Sequence, residues 1–504
     1  MKILLSVALV MLLACPVHAQ KSLGEDIAYK VKKEALVNSH MDEFMQYNTD
    51  LMGPRLPGSK LMTRAEDLAV KKLKDLGLTN VRVEEASNFA KGGWDNLKTY
   101  AAMTAPYYCN FYGIPKAWSG STNGLVAGQI IALDVKNEED IAKYKGTLSG
   151  KIVLMPSTFE YTLNLEPLAS RYTDEELAKI AKDPRGEIVI ESKSAYSRSG
   201  YGNYNLTRML TEMVVGENPA VIVSGRGNFN IPTAGSVSYK SGDKEPIAEL
   251  ILPAEAHARM VRLAKSGTPV SMEIEIKNEF TPNCKINNVI GEIQGCDPKL
   301  KDEVVLLGAH LDSWHGGTGA ADNASGVMVM MEAMRIIKAL GISPKRTIRI
   351  ALWGGEEQGF VGSRGYVGKY LYDRDKKAKK EDYDKFALYL NMDNGSGKFR
   401  GIYLEENDMA LPFFKEWCKH IESFGFNTLT LGTTWGTDHQ PFQGAGLPGF
   451  QFIQDELDYG RTFHTPMDTY ERLSVADLKY NAAVTAWIAI SAAMDNNKIP
   501  AENL

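Results

Sequence analysis

The chain reads as an α/β protein: a mixed, mostly parallel sheet flanked by helices, with an inserted β-rich domain. Three observations predict this. From Asn287 onward, continuous apolar runs alternate with helical patterns, as expected of strands buried on both faces and joined by crossover helices. Between Tyr107 and Ile274 the pattern changes to short apolar runs separated by loops. Finally, the histidines and carboxylates suited to metal binding fall where strands of the later part should end, which is where open α/β sheets build their sites.

The elements follow in order. Residues Ile3 to Ala14 form an apolar run behind Lys2, then Pro16-Val17-His18-Ala19. This reads as a secretory signal over residues 1–19, predicting export to the periplasm or the cell exterior. The run is too short for a transmembrane helix, which needs ~20 residues. Leu12-Leu13-Ala14-Cys15 resembles a lipoprotein box, so a lipid anchor on Cys15 is the second reading. No other segment has transmembrane character. A helix is expected over about Glu25 to Asp50, broken by Gly53-Pro54-Arg55-Leu56-Pro57-Gly58. A second is expected over Thr63 to Leu76, ended by Gly77. Val81-Arg82-Val83 alternates as a strand does. These elements make residues 20–106 the first part of the main domain, with 107–274 the insert and 275–504 the remainder.

Within the insert, Gln129 to Leu133, Lys151 to Met155 and Ala220 to Val223 read as strands. Beyond it, Val304 to Gly308 is a buried parallel strand. Val327, Met330, Met331, Met334, Ile337 and Leu340 recur at helical spacing and predict a core helix ended by Gly341. Ile348 to Leu352 and Phe386 to Met392 are the next strands. The charged stretch Asp373 to Lys385 predicts a solvated helix or loop. Ser474 with Asp477 resembles a capping box opening a last helix through Ala493.

Composition narrows the function classes. The chain has 504 residues, is 44% hydrophobic and 24% charged, and carries a formal net charge of -5. That is ordinary globular composition with no basic, aromatic-interleaved stripe, so nucleic acid is not an expected partner. Cleavage after Ala19 would leave Cys109, Cys284, Cys296 and Cys418, too few for a disulfide scaffold. Export permits a disulfide. Cys284 and Cys296 are the nearest pair, and free thiols are the alternative.

Five metal-binding side chains stand at strand ends: His310 in GAHLD, Asp322 in AADNASG, Glu357 in GGEEQG, Asp393 in NMDNG and His464 in FHTPMD. Two histidines and three carboxylates are donors that zinc accepts. One catalytic zinc usually takes three protein ligands and a water. Five donors therefore predict two Zn2+ ions, with Asp322 in its Gly/Ala-rich loop as the bridge. Asp312, two residues after His310, is expected to accept a hydrogen bond from the other ring nitrogen. Adjacent Glu356 and Glu357 should diverge. Glu357 is assigned to metal, and Glu356 to the role of general base, its pKa raised by burial and neighbouring carboxylates. Asp468 is a candidate partner of His464. The polar segment around His439 shapes the site without supplying a ligand.

The runs GAHLDSWHGGTGAADNASG and PKRTIRIALWGGEEQGFVGS resemble the metallopeptidase family of bacterial zinc aminopeptidases, glutamate carboxypeptidase II and carboxypeptidase Q. The resemblance covers most of the chain from about Ile286. LSGKIVLM and NPAVIVSG in the insert are similar to a protease-associated domain. The resemblance implies that His310 and Asp393 hold one ion, Glu357 and His464 the other, and Asp322 both. It also implies a cis Asp322–Asn323 bond, peptide substrates and a possible homodimer. Some relatives place a hydrogen-bond donor just before the last histidine. Here Phe463 stands there, leaving Tyr459 or His439 to stabilise an oxyanion. The expected activity is hydrolysis of dipeptides or short peptides from a free amino end. A carboxypeptidase acting at the carboxyl end, a non-catalytic receptor-like protein and a glutaminyl-cyclase-like acyltransferase are the alternatives. Arg364 and Arg461 are the arginines near the motifs.

Overall fold

The computed structural model describes residues 24–156, 163, 165, 167–182, 204–227 and 230–501. The signal-like segment and Cys15 lie outside the described residues. Two eight-stranded sheets dominate. In the first, Val304–His310 lies between Thr347–Trp353 and Phe386–Asn391, parallel to both. Gly449–Gln454 adds in parallel to Phe386–Asn391. Antiparallel strands complete one side: Lys285–Ile293 pairs with Thr347–Trp353, and Thr79–Asn88 lies outside it. On the other side Phe399–Tyr403 and Thr428–Thr430 finish the sheet. The three central parallel strands, almost wholly buried, are the continuous apolar runs of the sequence.

The helix Ser325–Ala339 packs on this sheet, with Glu25–Val37 and Val475–Met494 beside it. Every residue from Ser325 to Ile337 is buried, and Met328, Met330, Met331 and Met334 join the main apolar cluster. Each such side chain contributes roughly 1.5–3 kcal/mol on burial. The helix also buries charge. Arg335 pairs with Glu332 at 2.7 Å and Glu34 at 2.7 Å, and Glu332 accepts from the His40 amide at 3.2 Å.

Three local expectations need correction. The N-terminal helix is not continuous to Asp50. It stops at Val37 and resumes at Met41–Gln46, because the Ser39 hydroxyl accepts from the Met41 amide at 3.1 Å. The capping box at Ser474 does not form. Ser474 Oγ instead donates to Asp477 at 2.8 Å, and Asp477 also pairs with Arg171 at 2.7 Å. The charged stretch after Tyr372 includes a small hairpin, Tyr372–Asp373 with Ala378–Lys379. Among the described residues, Cys109, Cys284 and Cys418 are free thiols.

The second sheet contains a parallel run of Val126–Ala132, Ile152–Leu154, Val221–Arg226 and Glu249–Pro253. Its long strands Gly93–Ala105 and Ser271–Thr281 pair with each other. They extend the sheet beyond residues 107–274 at both ends. Among the described residues, no helix is long and apolar enough to cross a membrane.

Candidate active site

The parallel strands end together, so their carboxyl ends deliver side chains to one edge. His310 is the last residue of its strand and is level with Trp353 on its neighbour. Glu356 and Glu357 follow through Gly354 and Gly355. Gly355 has φ of 70°, a left-handed conformation that glycine adopts without a Cβ penalty. Asp393 lies two residues beyond the strand Phe386–Asn391. Asp322 enters from the loop before the helix Ser325–Ala339, and its peptide bond to Asn323 is cis. His464 follows the short helix Tyr459–Thr462.

These donors form two groups that share Asp322: His310, Asp322 and Asp393, and Asp322, Glu357 and His464. In each group the donor atoms lie within 4.8 Å of one another, close enough to surround one ion. Asp322 offers one oxygen to His310 Nε2 at 3.2 Å and the other to His464 Nε2 at 3.0 Å. His464 Nε2 is 2.9 Å from Glu357, and His310 Nε2 is 3.6 Å from Asp393. His310 Nε2, Asp322 Oδ2 and Glu357 Oε1 are buried without a well-directed hydrogen-bond partner. Buried polar atoms are normally satisfied. Three orphaned donor atoms converging in two groups fit a divalent cation in each.

The supporting contacts differ from those expected. His310 Nδ1 bonds to the Asp312 main-chain oxygen at 3.0 Å, whereas the Asp312 carboxylate is 3.7 Å away. That carboxylate instead accepts from the Glu356 amide at 3.1 Å and the Glu357 amide at 3.3 Å. Asp312 therefore orients both glutamates through their backbone. Asp468 likewise does not bond to His464. It accepts from the amides of Ala321 at 2.6 Å and Asp322 at 3.0 Å, fixing the loop that carries the shared carboxylate. In both cases main-chain amides at a turn outcompete an imidazole, because two N–H donors can share one carboxylate.

Two contributors, Trp314 and Arg55, escaped the sequence reading, while Asp438 comes from the polar segment around His439 that was expected to shape the site. Trp314 donates its indole N–H to Glu357 at 2.7 Å. A buried Asp438 accepts from Ser363. Arg55, fully buried in what reads as a mere turn, donates to the carbonyls of Gly53, Leu311, Thr318 and Gly319. The only available hint for the first two was the proximity of Trp314 to the motifs. His439 is fully buried against the Thr434 carbonyl at 3.2 Å and Glu405 at 3.4 Å.

A cavity of about 610 Å³ opens over the site, lined by Asp322, Glu356, Glu357, Asp393 and His464. Tyr459 also lines it and stacks on Phe463 at 5.0 Å. Of the two expected oxyanion donors, Tyr459 faces the cavity and His439 does not. Crowded buried carboxylates perturb one another here. Burial pushes Glu356 well above the ordinary carboxylate range, and Asp393, Asp438 and Glu357 push it further. Burial raises Glu357, Asp438 and Asp468 to about 7. Burial opposes a charged His464, yet Glu357 and Asp322 lift it to about 10. Burial opposes an ionised Asp322, but His310 and His464 hold it well below its usual range.

Residues 288–488 match the model of peptidase family M28. Mouse carboxypeptidase Q is 26% identical over 482 residues, spanning 94% of this chain and 91% of the relative. The solved structure of a peptidase M28 precursor from Shewanella amazonensis superposes with a TM-score of 0.66 at 23% identity, covering 95% of this chain and 99% of the other. A zinc aminopeptidase from Bacillus subtilis superposes at 0.55 and 19% identity, covering 95% and 98%. The matched span holds the strands that lead to His310, Glu356 and Asp393 and the turn that carries His464, so over residues 288–488 the chain is similar to peptidase family M28, a similarity that includes every residue of the two donor groups.

Proposed function

We propose that this protein is a zinc-dependent exopeptidase acting on dipeptides and short peptides with a free amino end. The observation that carries the reading is Asp322 reaching one histidine with each oxygen, 3.2 Å and 3.0 Å away, beneath a cavity walled by Glu356. The similarity to carboxypeptidase Q and to a zinc aminopeptidase supports it. His310, Asp393 and Asp322 would hold one zinc, and Glu357, His464 and Asp322 the other. When bound, such ions acidify a water and polarise the carbonyl under attack.

The chain's own residues carry the proton. Glu356 stands on the cavity wall with its backbone pinned by Asp312. It takes the proton of the attacking water and returns it to the leaving amine. Its raised pKa brings it closer to that of a useful base near neutrality. Glu357 is turned away by its bonds to Trp314 and His464. The cavity wall carries Asp322, Glu356, Glu357, Asp393 and Glu456 and, among the described residues, no lysine or arginine. With Asp322, Glu357 and Asp393 engaged by zinc and Glu356 serving as base, Glu456 remains on the wall to attract a substrate ammonium, which favours the amino end.

The test compares free dipeptides, N-acetylated dipeptides and amino-acid anilides, with chelator and then zinc added back. Chelator-sensitive cleavage of free-amine substrates alone is expected. Cleavage of N-blocked substrates would move specificity to the carboxyl end, and zinc binding without any turnover would sink the enzymatic reading.

Metal removal also has a pH signature. A group whose pKa rises on folding stabilises the fold fully below its unfolded pKa and progressively less above it. Glu357, Asp438 and Asp468 therefore lose this contribution between about pH 4 and about pH 7. His464 loses its own between about pH 6.5 and about pH 10. Asp322 acts in the opposite sense, but only at acidic pH. The Tm of chelator-treated protein is expected to fall from about pH 5.5 to about pH 8, and the gain on adding zinc to grow. A metal-free Tm that rises over this window would contradict the assignment.

A further inference from the structure

We infer that Thr233 is a positioning residue for His464, so that the polypeptide of the second sheet completes the metal site. The inference rests on the ligand assignment proposed above. Thr233 lies between the strands Val221–Arg226 and Glu249–Pro253 of the second sheet, 231 residues before His464. It is 1% exposed. Its amide donates to the His464 carbonyl at 2.6 Å, and its hydroxyl donates to the same oxygen at 3.1 Å.

Two features make this clamp matter. His464 has φ of 55°, a left-handed conformation that is unfavourable for a residue with a Cβ and persists only where the surroundings enforce it. The paired donors of Thr233 hold the carbonyl of that residue, and so the peptide plane from which its imidazole projects. The fit is also close on the other side. A Cβ on Gly316 would lie 2.3 Å from Thr233 Cγ2, so the loop leading to Asp322 admits only glycine beside this threonine.

The clamp belongs to a seam. Asn230 donates to the Arg461 carbonyl at 2.5 Å, on the same turn as His464. His315, from the loop after His310, meets the Pro115 carbonyl at 2.8 Å and packs edge-on against Trp94 at 4.9 Å. Both segments that flank the site are thus gripped by the second sheet's polypeptide. Among the described residues, His310 and Asp393 receive no such hydrogen bond. Loss of the clamp should therefore weaken one ion and spare the other.

The experiment titrates the full-length mature chain with zinc against a chromogenic chelator, comparing wild type with Thr233→Val, Thr233→Ala and Thr233→Ser. Valine preserves shape and loses the hydroxyl, alanine loses both, and serine restores the donor; all keep the main-chain N–H, so the comparison reads what the hydroxyl adds to the clamp. Wild type should bind two ions. The valine and alanine variants should keep one wild-type affinity and lose about tenfold or more in the other, in line with outer contacts of metal ligands. Serine should restore both. Near-UV circular dichroism of the chelated proteins checks that the variants fold. If valine and alanine variants that fold bind both ions as wild type does, or if serine is as weak as valine, the inference fails. Absence of zinc binding by wild type would instead overturn the ligand assignment beneath it.

Discussion

Replacing Glu356 by glutamine is expected to lower kcat by about 10²–10⁴-fold while zinc content and fold stay unchanged. Glutamine keeps the length and burial of the side chain but can neither accept nor return a proton. The neighbouring carboxylates Glu357 and Asp393 are engaged elsewhere. Glu357 is held by Trp314 at 2.7 Å and His464 at 2.9 Å, and Asp393 points one oxygen at the Asn394 amide at 2.6 Å. KM should change little, because the loss falls on the chemical step. The pH profile adds a second readout. A base with a raised pKa is protonated further into the acidic range, so wild-type activity should fall on acidification at a higher pH than an ordinary glutamate would give. That limb should disappear in the variant. Retention of wild-type kcat would remove Glu356 from the mechanism.

Replacing Arg55 by leucine is expected to destabilise the protein by about 3–5 kcal/mol, the cost of breaking a buried charge arrangement from one side. The guanidinium reaches four main-chain carbonyls, at Gly53, Leu311, Thr318 and Gly319. Its own amide and carbonyl lock onto Ser313, at 3.0 Å and 3.1 Å. Burial lowers its pKa to about 10, against the attraction of Asp468, Asp312 and Asp322, so it remains charged at neutral pH. Leucine removes a buried donor from each of those carbonyls, only that of Gly319 being seen to keep another among the described residues, the Ala324 amide at 2.9 Å, and leaves those acids without this counter-charge. Lysine keeps the charge but lacks the planar fork of donors, and should recover only part of the loss. Urea unfolding monitored by tryptophan fluorescence measures the difference. A midpoint for the leucine variant equal to wild type would show that these bonds contribute nothing net.

The central sheet was legible because its parallel strands are buried on both faces and therefore apolar without interruption, as Val304–His310 and Phe386–Asn391 are. The core helix was legible from the spacing of its methionines. Its burial on every side, including the Glu332–Arg335 pair, was not, since a polar residue in a helix reads as solvent-facing until a partner is seen. The break at Ser39 and the failed cap at Ser474 depended on single competing hydrogen bonds.

What the sequence determined by itself was chemical identity and order along the chain. Which side chains can donate to a metal, and that they follow apolar strands, are properties of residue type and local periodicity. Parallel pairing then brings His310, Glu356, Glu357 and Asp393 to one edge. What only the tertiary structure decided was how those side chains are held. Asp312 grips the amides of Glu356 and Glu357 and leaves the imidazole of His310 to a main-chain oxygen, Asp468 grips the loop of Asp322, Arg55 binds the loop carbonyls, and Thr233 clamps His464. Each of these is a choice between hydrogen-bond partners of comparable strength. Such choices turn on the approach of chain segments to within about an ångström, and Arg55 and Thr233 lie more than two hundred residues from the groups they hold near the site. No local pattern encodes that approach. It follows from how the two sheets pack.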